Sequence, residues 1–367
     1  MNKDAIKIGF SGAASWAWGT SLIMGQQIAQ EKGLIVWIIW AVCNSLTLAL
    51  FGWLHSHNII TEEIYQRKEV KIIALIIQLF CLLVQLNFIN QQFLKLLGSP
   101  VVAYFITMAI GFVFTLIVFK KGLPTSVNTD IFQWLIAIVS ILIIIFVGIA
   151  TKASRFEFVP PTSSGVLWGV WSGLILFAGP IGDVQHWQRA VADKSGKAYY
   201  IAAGLFAMYM LLILGMACFK FTNIMNVILL IAVLCITTST IDSIAVATHE
   251  IKNKKIGTTV ALIMCVIWTV FVQMGMIELW SSFGVIRFSF AIAVLIFPIC
   301  LKGNLKIAIP IIIASFATII FFIALGQITV NNIFGIISCL IATIILMYLL
   351  IVGLRNTDKV SASNLTK

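Results

Sequence analysis

Apolar residues in this chain come in long unbroken stretches, not at the alternating or seven-residue spacing of a half-buried strand or helix. Runs of about 20 such residues, the length of helix that crosses roughly 30 Å of hydrocarbon, recur from one end to the other. Twelve can be placed, near residues 8–29, 33–54, 71–92, 99–119, 131–150, 164–185, 198–219, 223–248, 257–276, 282–301, 305–326 and 332–353. No connection between them is long enough to hold a soluble domain. The pattern predicts an all-α polytopic membrane protein of about 12 transmembrane helices, a single membrane domain over residues 1–367.

Polar positions interrupt these runs unevenly. The eighth run holds Thr237-Thr238-Ser239-Thr240-Ile241-Asp242-Ser243, in which all but Ile241 carry side-chain oxygen, between aliphatic residues 227–236 and 244–247. Two readings fit. Such a cluster can bind a hard cation, because a carboxylate inside a membrane is costly to keep without a role. It can also glue helices together, with hydroxyls bonded back to the carbonyl four residues earlier and Asp242 reaching the inner surface.

The first run is broken by Gly9, Gly12, Gly19 and Gly25 and made polar by Ser11, Ser15, Thr20, Ser21, Gln26 and Gln27, so it belongs inside a bundle. The sixth carries Trp168-Gly169-Val170-Trp171 and then Gly179-Pro180-Ile181-Gly182-Asp183, where Gly179-Pro180 predicts a helix break. Trp16-Ala17-Trp18-Gly19 and the Trp168 stretch are weakly alike and five runs apart, an odd number that gives their surroundings opposite orientation. Interrupted segments at matching places in two halves point to a transporter site near the midplane. On the third run Gln78, Gln85 and Gln92 share one helix face, as a polar path or as interhelical glue. The fifth run has no carboxylate between Ile131 and Ala150.

With 61% hydrophobic and 10% charged residues, the 367-residue chain lacks the polar surface of a soluble globule. The net charge of +11 is spread over short connections and reads as topology, not as a nucleic-acid surface. With the N-terminus inside, eighteen Lys and Arg fall on the inner side, and Lys32, Lys95, Lys152, Arg155, Lys220 and Arg287 on the outer. Both termini are therefore expected to be cytoplasmic, in a cell inner or plasma membrane. Lys3 and Lys7 before an apolar stretch are signal-peptide-like, but removing that stretch would upset the charge count. All seven cysteines fall within apolar runs, and neither they nor His55, His57, His186 and His249 have zinc spacing. No paired-carboxylate, His-Asp or Cys-His constellation suggests an enzyme.

Three stretches together resemble the sodium/solute symporter family, which includes sodium-coupled proline and sugar transporters. They are Ala13-Ala14-Ser15-Trp16-Ala17-Trp18-Gly19 with Gly33-Leu34, then Gly179-Pro180 through Gln188-Arg189-Ala190 and Ala192-Asp193-Lys194, then Ser239-Thr240-Ile241-Asp242-Ser243. The resemblance implies a LeuT-type five-plus-five inverted repeat, with residues 8–150 as the first five-helix unit and 164–301 as the second. Residues 305–354 would add two helices, and 355–367 a cytoplasmic tail. It implies sodium as the coupling ion, held by the carbonyls of Ala14, Ala17 and Ile236 and the hydroxyls of Ser239 and Thr240. Gly179, Pro180, Arg189, Asp242 and Ser243 would support that site. Members with a second sodium use an acidic residue on the fifth core helix, which the fifth run lacks, so that site is not expected in its usual form.

The function implied is sodium-coupled symport of a small neutral or zwitterionic solute such as an amino acid, a sugar or urea. The absence of buried charge in the first, third and sixth helices argues against a strongly charged one. Trp16, Gln26, Gln85, Trp171 and Gln185 are candidate solute contacts. Lipid is the other expected partner. The alternatives are a non-transporting sensor or partner-binding protein with the same core, or a proton-coupled or uniporting member.

Overall fold

The computed structural model describes residues 3–66, 68–119, 122–193, 195–250 and 253–268, together with residues 284, 287, 288, 291 and 344. The last three apolar runs, the end of the ninth and the proposed tail otherwise lie outside the described residues. Within them the chain is helical, with one isolated bridge between Arg155 and Phe219.

In chain order the helices are α1 (Lys3–Trp16), α2 (Gly19–Gln27), α3 (Leu34–Ser56), α4 (Glu62–Gln66), α5 (Lys68–Leu97), α6 (Pro100–Ile117) and α7 (Leu123–Ala150). They continue with α8 (Ser163–Phe177), α9 (Gly179–Gly182), α10 (Val184–Asp193), α11 (Lys197–Ala217), α12 (Asn223–Thr248) and α13 (Lys254–Ile267). Six of these, α3, α5, α6, α7, α11 and α12, are long and apolar enough to cross a membrane. Local chemistry sets several starts. The Thr162 hydroxyl accepts from the Gly165 amide (3.1 Å) at α8 and Asn253 Oδ1 accepts from the Ile256 amide (2.9 Å) at α13. Ser99 caps α6 ahead of Pro100, whose missing N–H is harmless in a first turn.

Two of the expected membrane helices are broken. The first is α1 and α2, separated by Ala17 and Trp18, with Trp18 extended at φ −49° and ψ 148°. The sixth is α8 to α10, interrupted first at Ala178, beside Gly179-Pro180 as the sequence predicts, and again at Asp183. Pro180 is accepted in the first turn of α9, and the chain becomes extended only at Asp183 (φ −108°, ψ 112°). What Gly179 provides is space: a Cβ there would collide with the Trp16 ring.

Helix α12 lies at the centre. Every residue from Ile236 to Thr248 is buried, and α12 packs on α1, α5, α6, α7, α10 and α13. Aliphatic and aromatic side chains point outward instead from the peripheral helices, among them Phe105, Phe132, Phe146, Ile149 and Leu211. An outer face this apolar would be a liability in water and is what a bilayer requires. The chain is an all-α polytopic membrane protein.

Close packing around α12 gives a direct test. A Cβ on Gly257 of α13 would collide with the backbone carbonyl of Thr248, whereas one on Gly204, on the outer face of α11, would meet nothing within 4 Å. Gly257→Ala should destabilise the protein by about 1–3 kcal/mol, and Gly204→Ala should be neutral or stabilising by up to about 1 kcal/mol. Thermal unfolding of the two purified variants in detergent checks this, and equal midpoints would contradict the packing described.

Candidate functional site

Two helices meet through matching polar stripes. On α7 Ser126, Thr129, Asp130 and Gln133 recur at three- and four-residue spacing and so share a face, as do Ser239, Asp242 and Ser243 on α12. Gln133 Nε2 donates to Thr238 Oγ1 (3.0 Å), and the Ser239 hydroxyl to Asp130 Oδ1 (2.6 Å). The Thr129 and Ser126 hydroxyls donate to the two oxygens of Asp242 (2.6 and 2.9 Å). Residue numbers rise on one helix as they fall on the other, so α7 and α12 run antiparallel.

Asp130 is a correction to the sequence reading, which began the fifth membrane helix at residue 131 and left it without a carboxylate. Helix α7 starts eight residues earlier, at Leu123, and Asp130 is fully buried within it. Arg189 of α10 pairs with it (Nη2 to Oδ2, 2.7 Å), and both side chains are fully buried. Arg189 also donates to the hydroxyls of Ser11 (2.8 Å) and Ser243 (2.8 Å) and to the Gln185 carbonyl (2.8 Å). Ser11 of α1 in turn donates to Asp130. One ion pair thus ties together α1, α7, α10 and α12. Asp242 bonds to hydroxyls and not to Arg189, so with all three groups ionised the cluster carries two negative charges against one positive.

Next to this cluster the break in α1 releases two of the carbonyls singled out from sequence, those of Ala14 and Ala17. In a continuing helix the Trp18 amide would bond the Ala14 carbonyl and the Ser21 amide that of Ala17. Here the Trp18 amide turns to the Trp16 carbonyl (2.9 Å) and the Ser21 amide to the Trp18 carbonyl (2.8 Å). Two contacts hold that stretch against α12. Ser11, Asp130 and Ser239 form a chain on one side, and on the other Gly19 sits so close to Thr237 that a Cβ would strike its hydroxyl. Ala14 and Ala17, both buried, lie along the chain between these two anchors.

The helix-glue reading holds for part of the polar run. Thr237, Thr238 and Thr240 donate back to the carbonyls of Val233 (2.7 Å), Leu234 (2.7 Å) and Ile236 (3.2 Å). A hydroxyl that donates keeps its oxygen lone pairs for another partner, so Ser239 and Thr240 are still able to ligate a cation.

Buried charge also lies between the two helix breaks, contrary to expectation. Asp183, in the gap of the sixth helix, is fully buried and pairs with Arg287 (2.7 Å), which is buried rather than at an outer connection as the charge count assigned it. Of the candidate solute contacts, Trp16, Gln85 and Gln185 are buried around this region. The Trp16 indole donates to Asn44 Oδ1 (2.8 Å), and Gln185 Nε2 to the Ser15 carbonyl (3.5 Å). Trp171 is buried on α8, and Gln26 is half-buried on α2. Neither makes a side-chain hydrogen bond among the described residues.

The end of the bundle that the charge pattern assigns to the cytoplasm has Tyr65 stacked on Trp187 (5.3 Å, 11°), a Lys71–Glu250 ion pair (2.9 Å) and a cavity of about 420 Å³ lined by Tyr65, Gln188, His249 and Glu250 among others. Burial there holds the Tyr65 hydroxyl above its usual range, with the Glu250 charge adding to the effect. Burial, and then the charge of Lys254, lowers the pKa of His249, which favours its neutral form. A cavity of about 460 Å³ opens at the opposite end, lined by Gln92, Lys95, Asn223 and Asn226 among others. Among the described residues no group of His, Cys, Asp and Glu suits a transition metal.

The fold is similar to that of a Na+-coupled sialic acid symporter. That structure is described as a substrate-bound outward-open state revealing a novel Na+ site, and it matches with a TM-score of 0.60 over 94% of this chain and 90% of the other, at 14% identity. No family model matches the chain, and no curated protein matches it in sequence.

If the Asp130–Arg189 pair is the knot described, Arg189→Gln leaves two carboxylates buried together without a counter-charge. The expected cost is about 3–5 kcal/mol, read as a lowered unfolding midpoint. A loss below about 1 kcal/mol would place the guanidinium in water and contradict this geometry.

Proposed function

We propose that the protein is a secondary active transporter that couples sodium to the inward movement of a small neutral or zwitterionic solute. The observation that carries this reading is the juxtaposition at α12. The α1 break frees the Ala14 and Ala17 carbonyls in a stretch packed against α12, and the buried cluster of Asp130, Asp242 and Arg189, with one excess negative charge when all three are ionised, lies alongside. Carbonyls and hydroxyls form an all-oxygen set suited to a small hard cation, and the excess charge favours a monovalent one. The fold shared with a sodium-coupled symporter supports the same reading.

In this reading sodium binds to the carbonyls of Ala14, Ala17 and Ile236 and the hydroxyls of Ser239 and Thr240. The carboxylates of Asp130 and Asp242, with Ser243, offer a second cation position. Asp130 supplies the acid on the fifth helix whose absence had argued against one. Both termini are placed in the cytoplasm, and the two broken helices in opposed five-helix units. Sodium draws α1 onto α12 and favours an outward-facing state, and by reciprocity solute tightens sodium binding by the same factor. Opening of the Tyr65–Trp187 and Lys71–Glu250 contacts then releases both to the cytoplasm.

Sodium-driven uptake into proteoliposomes tests this. Ser239→Ala with Thr240→Ala should raise the sodium concentration for half-maximal uptake about tenfold or more. Unchanged sodium dependence would refute the assigned ligands. Solute binding without flux under any sodium gradient would instead favour a sensor, and flux that follows a proton gradient alone a proton-coupled carrier.

A further inference from the structure

The Asp183–Arg287 pair is more than a link between helices, and the groups around it indicate what it binds. Asp183 is the extended residue at which the sixth helix is interrupted. The Arg287 guanidinium lies over the rings of both tryptophans that flank the other break, 5.5 Å from Trp16 and 4.9 Å from Trp18. The pair therefore sits where the two broken helices face each other. Gly179 and Gly182 give it room, since a Cβ on the first would crowd Arg287 Nη2 (2.7 Å) and one on the second would touch its stem (3.6 Å).

Burying an ion pair is rarely a net source of stability, because the attraction only offsets the lost hydration. Here the surroundings are also incompletely bonded. Arg287 Nε, Trp18 Nε1, Gln78 Nε2, Gln185 Oε1 and both amide atoms of Gln85 are buried without a hydrogen-bond partner among the described residues. Each such atom costs about 1–3 kcal/mol if nothing binds it. They belong to one place. On α5 Gln78, Cys81, Gln85 and Phe88 share a face. Gln78 Oε1 accepts from the Gln185 amide (3.3 Å), Cys81 Sγ reaches Asp183 (3.9 Å), and Phe88 lies against Gly19. Gln85 stands between these last two contacts, level with the gap between the breaks. Four of the unpartnered atoms are donors and two are acceptors, an excess that suits a bound carboxylate.

Resting on the symporter reading, we propose that Asp183 and Arg287 are the charged half of the solute site, and that the solute is a small zwitterion of the amino-acid type. Its carboxylate takes the place of Asp183 on the Arg287 fork, and its ammonium group takes the place of Arg287 on Asp183. The pair closes on itself when the site is empty and separates around a ligand that carries both charged groups on one carbon. The site stays neutral throughout, so no buried charge is left unmatched at any stage. A sugar or urea would have to leave the pair intact, and a simple carboxylate or amine would satisfy one member and strand the other.

Thermal unfolding of the purified full chain in detergent tests this with each of the standard L-amino acids. Propionate, propylamine, D-glucose and urea serve as singly charged and uncharged controls. At least one amino acid should raise the midpoint by about 3 °C or more, and none of the four controls should. For that amino acid, Asp183→Asn with Arg287→Gln should weaken binding about 100-fold or more, while the midpoint rise given by sodium alone persists and shows that the variant is folded. If the neutral variant does not fold, Arg287→Lys keeps the charge but loses the fork, and should weaken binding about tenfold. Unchanged affinity in either variant, or stabilisation by D-glucose, urea or propionate and by no amino acid, would overturn the proposal. Amino-acid binding that sodium fails to tighten supports the zwitterion site and counts against sodium coupling. Binding of D-glucose alone, tightened by sodium, overturns the zwitterion site and leaves coupling in place.

Discussion

The Asp130–Arg189 ion pair is the constraint on which the rest of the structure depends. Two opposite charges that are fully buried must find each other, and each must use its remaining hydrogen-bonding capacity locally. Meeting that requirement brings α1 in through Ser11, α10 through Arg189 and α12 through Ser239 and Ser243. Ser11 of α1 reaches α12 through Asp130, and Gly19 of α2 lies directly against Thr237 of α12, with the chain interrupted between them at Ala17 and Trp18. The second carboxylate, Asp242, turns a neutral knot into one that wants a cation.

Much of this was legible in the sequence, for identifiable reasons. Long apolar runs announce membrane helices because hydrocarbon tolerates little else, and six of them are seen at full length. The oxygen-rich run at residues 237–243 stood out for the same reason in reverse. Its division of labour did not, since a Thr that bonds its own helix and a Ser that reaches another helix look alike in one dimension. Asp130 was missed because Asn128, Thr129 and Asp130 read as a loop end by hydropathy. The signal was periodicity, with Ser126, Thr129, Asp130 and Gln133 continuing one helical face beyond the apolar run. Arg287 was misplaced because a charge count assigns every cation near a run's end to water, and only three-dimensional proximity reveals Asp183 as its partner. The Gly179-Pro180 break was located by the residue that usually causes one. The second interruption, at Asp183, was not legible, because there a charge turns out of the helix to meet Arg287.

The two buried charge systems divide the work in a way that suits a coupled carrier. One carries an excess negative charge when Asp130, Asp242 and Arg189 are all ionised and lies at α12, where a cation then restores neutrality. The other is neutral and lies between the breaks, where a neutral solute can enter without disturbing the balance. Both are built on the interrupted first and sixth helices. Gln185 lies between them, because its carbonyl accepts from Arg189 and its amide nitrogen donates to Gln78. In the proposed reading, a shift of α1 on ion binding would move the walls of the solute gap and so couple the two.

The central claim is that excess negative charge at Asp130, Asp242 and Arg189 draws sodium to α12. The most direct measurement is equilibrium binding of radioactive sodium to purified protein at neutral pH, without solute, in the parent and in Asp242→Asn. The substitution keeps the size and much of the hydrogen bonding of the side chain and removes the surplus charge. Saturable sodium binding in the parent, weakened about tenfold or more in the variant, is the result predicted. Equal affinity in the two proteins, or no saturable binding in the parent, would contradict it.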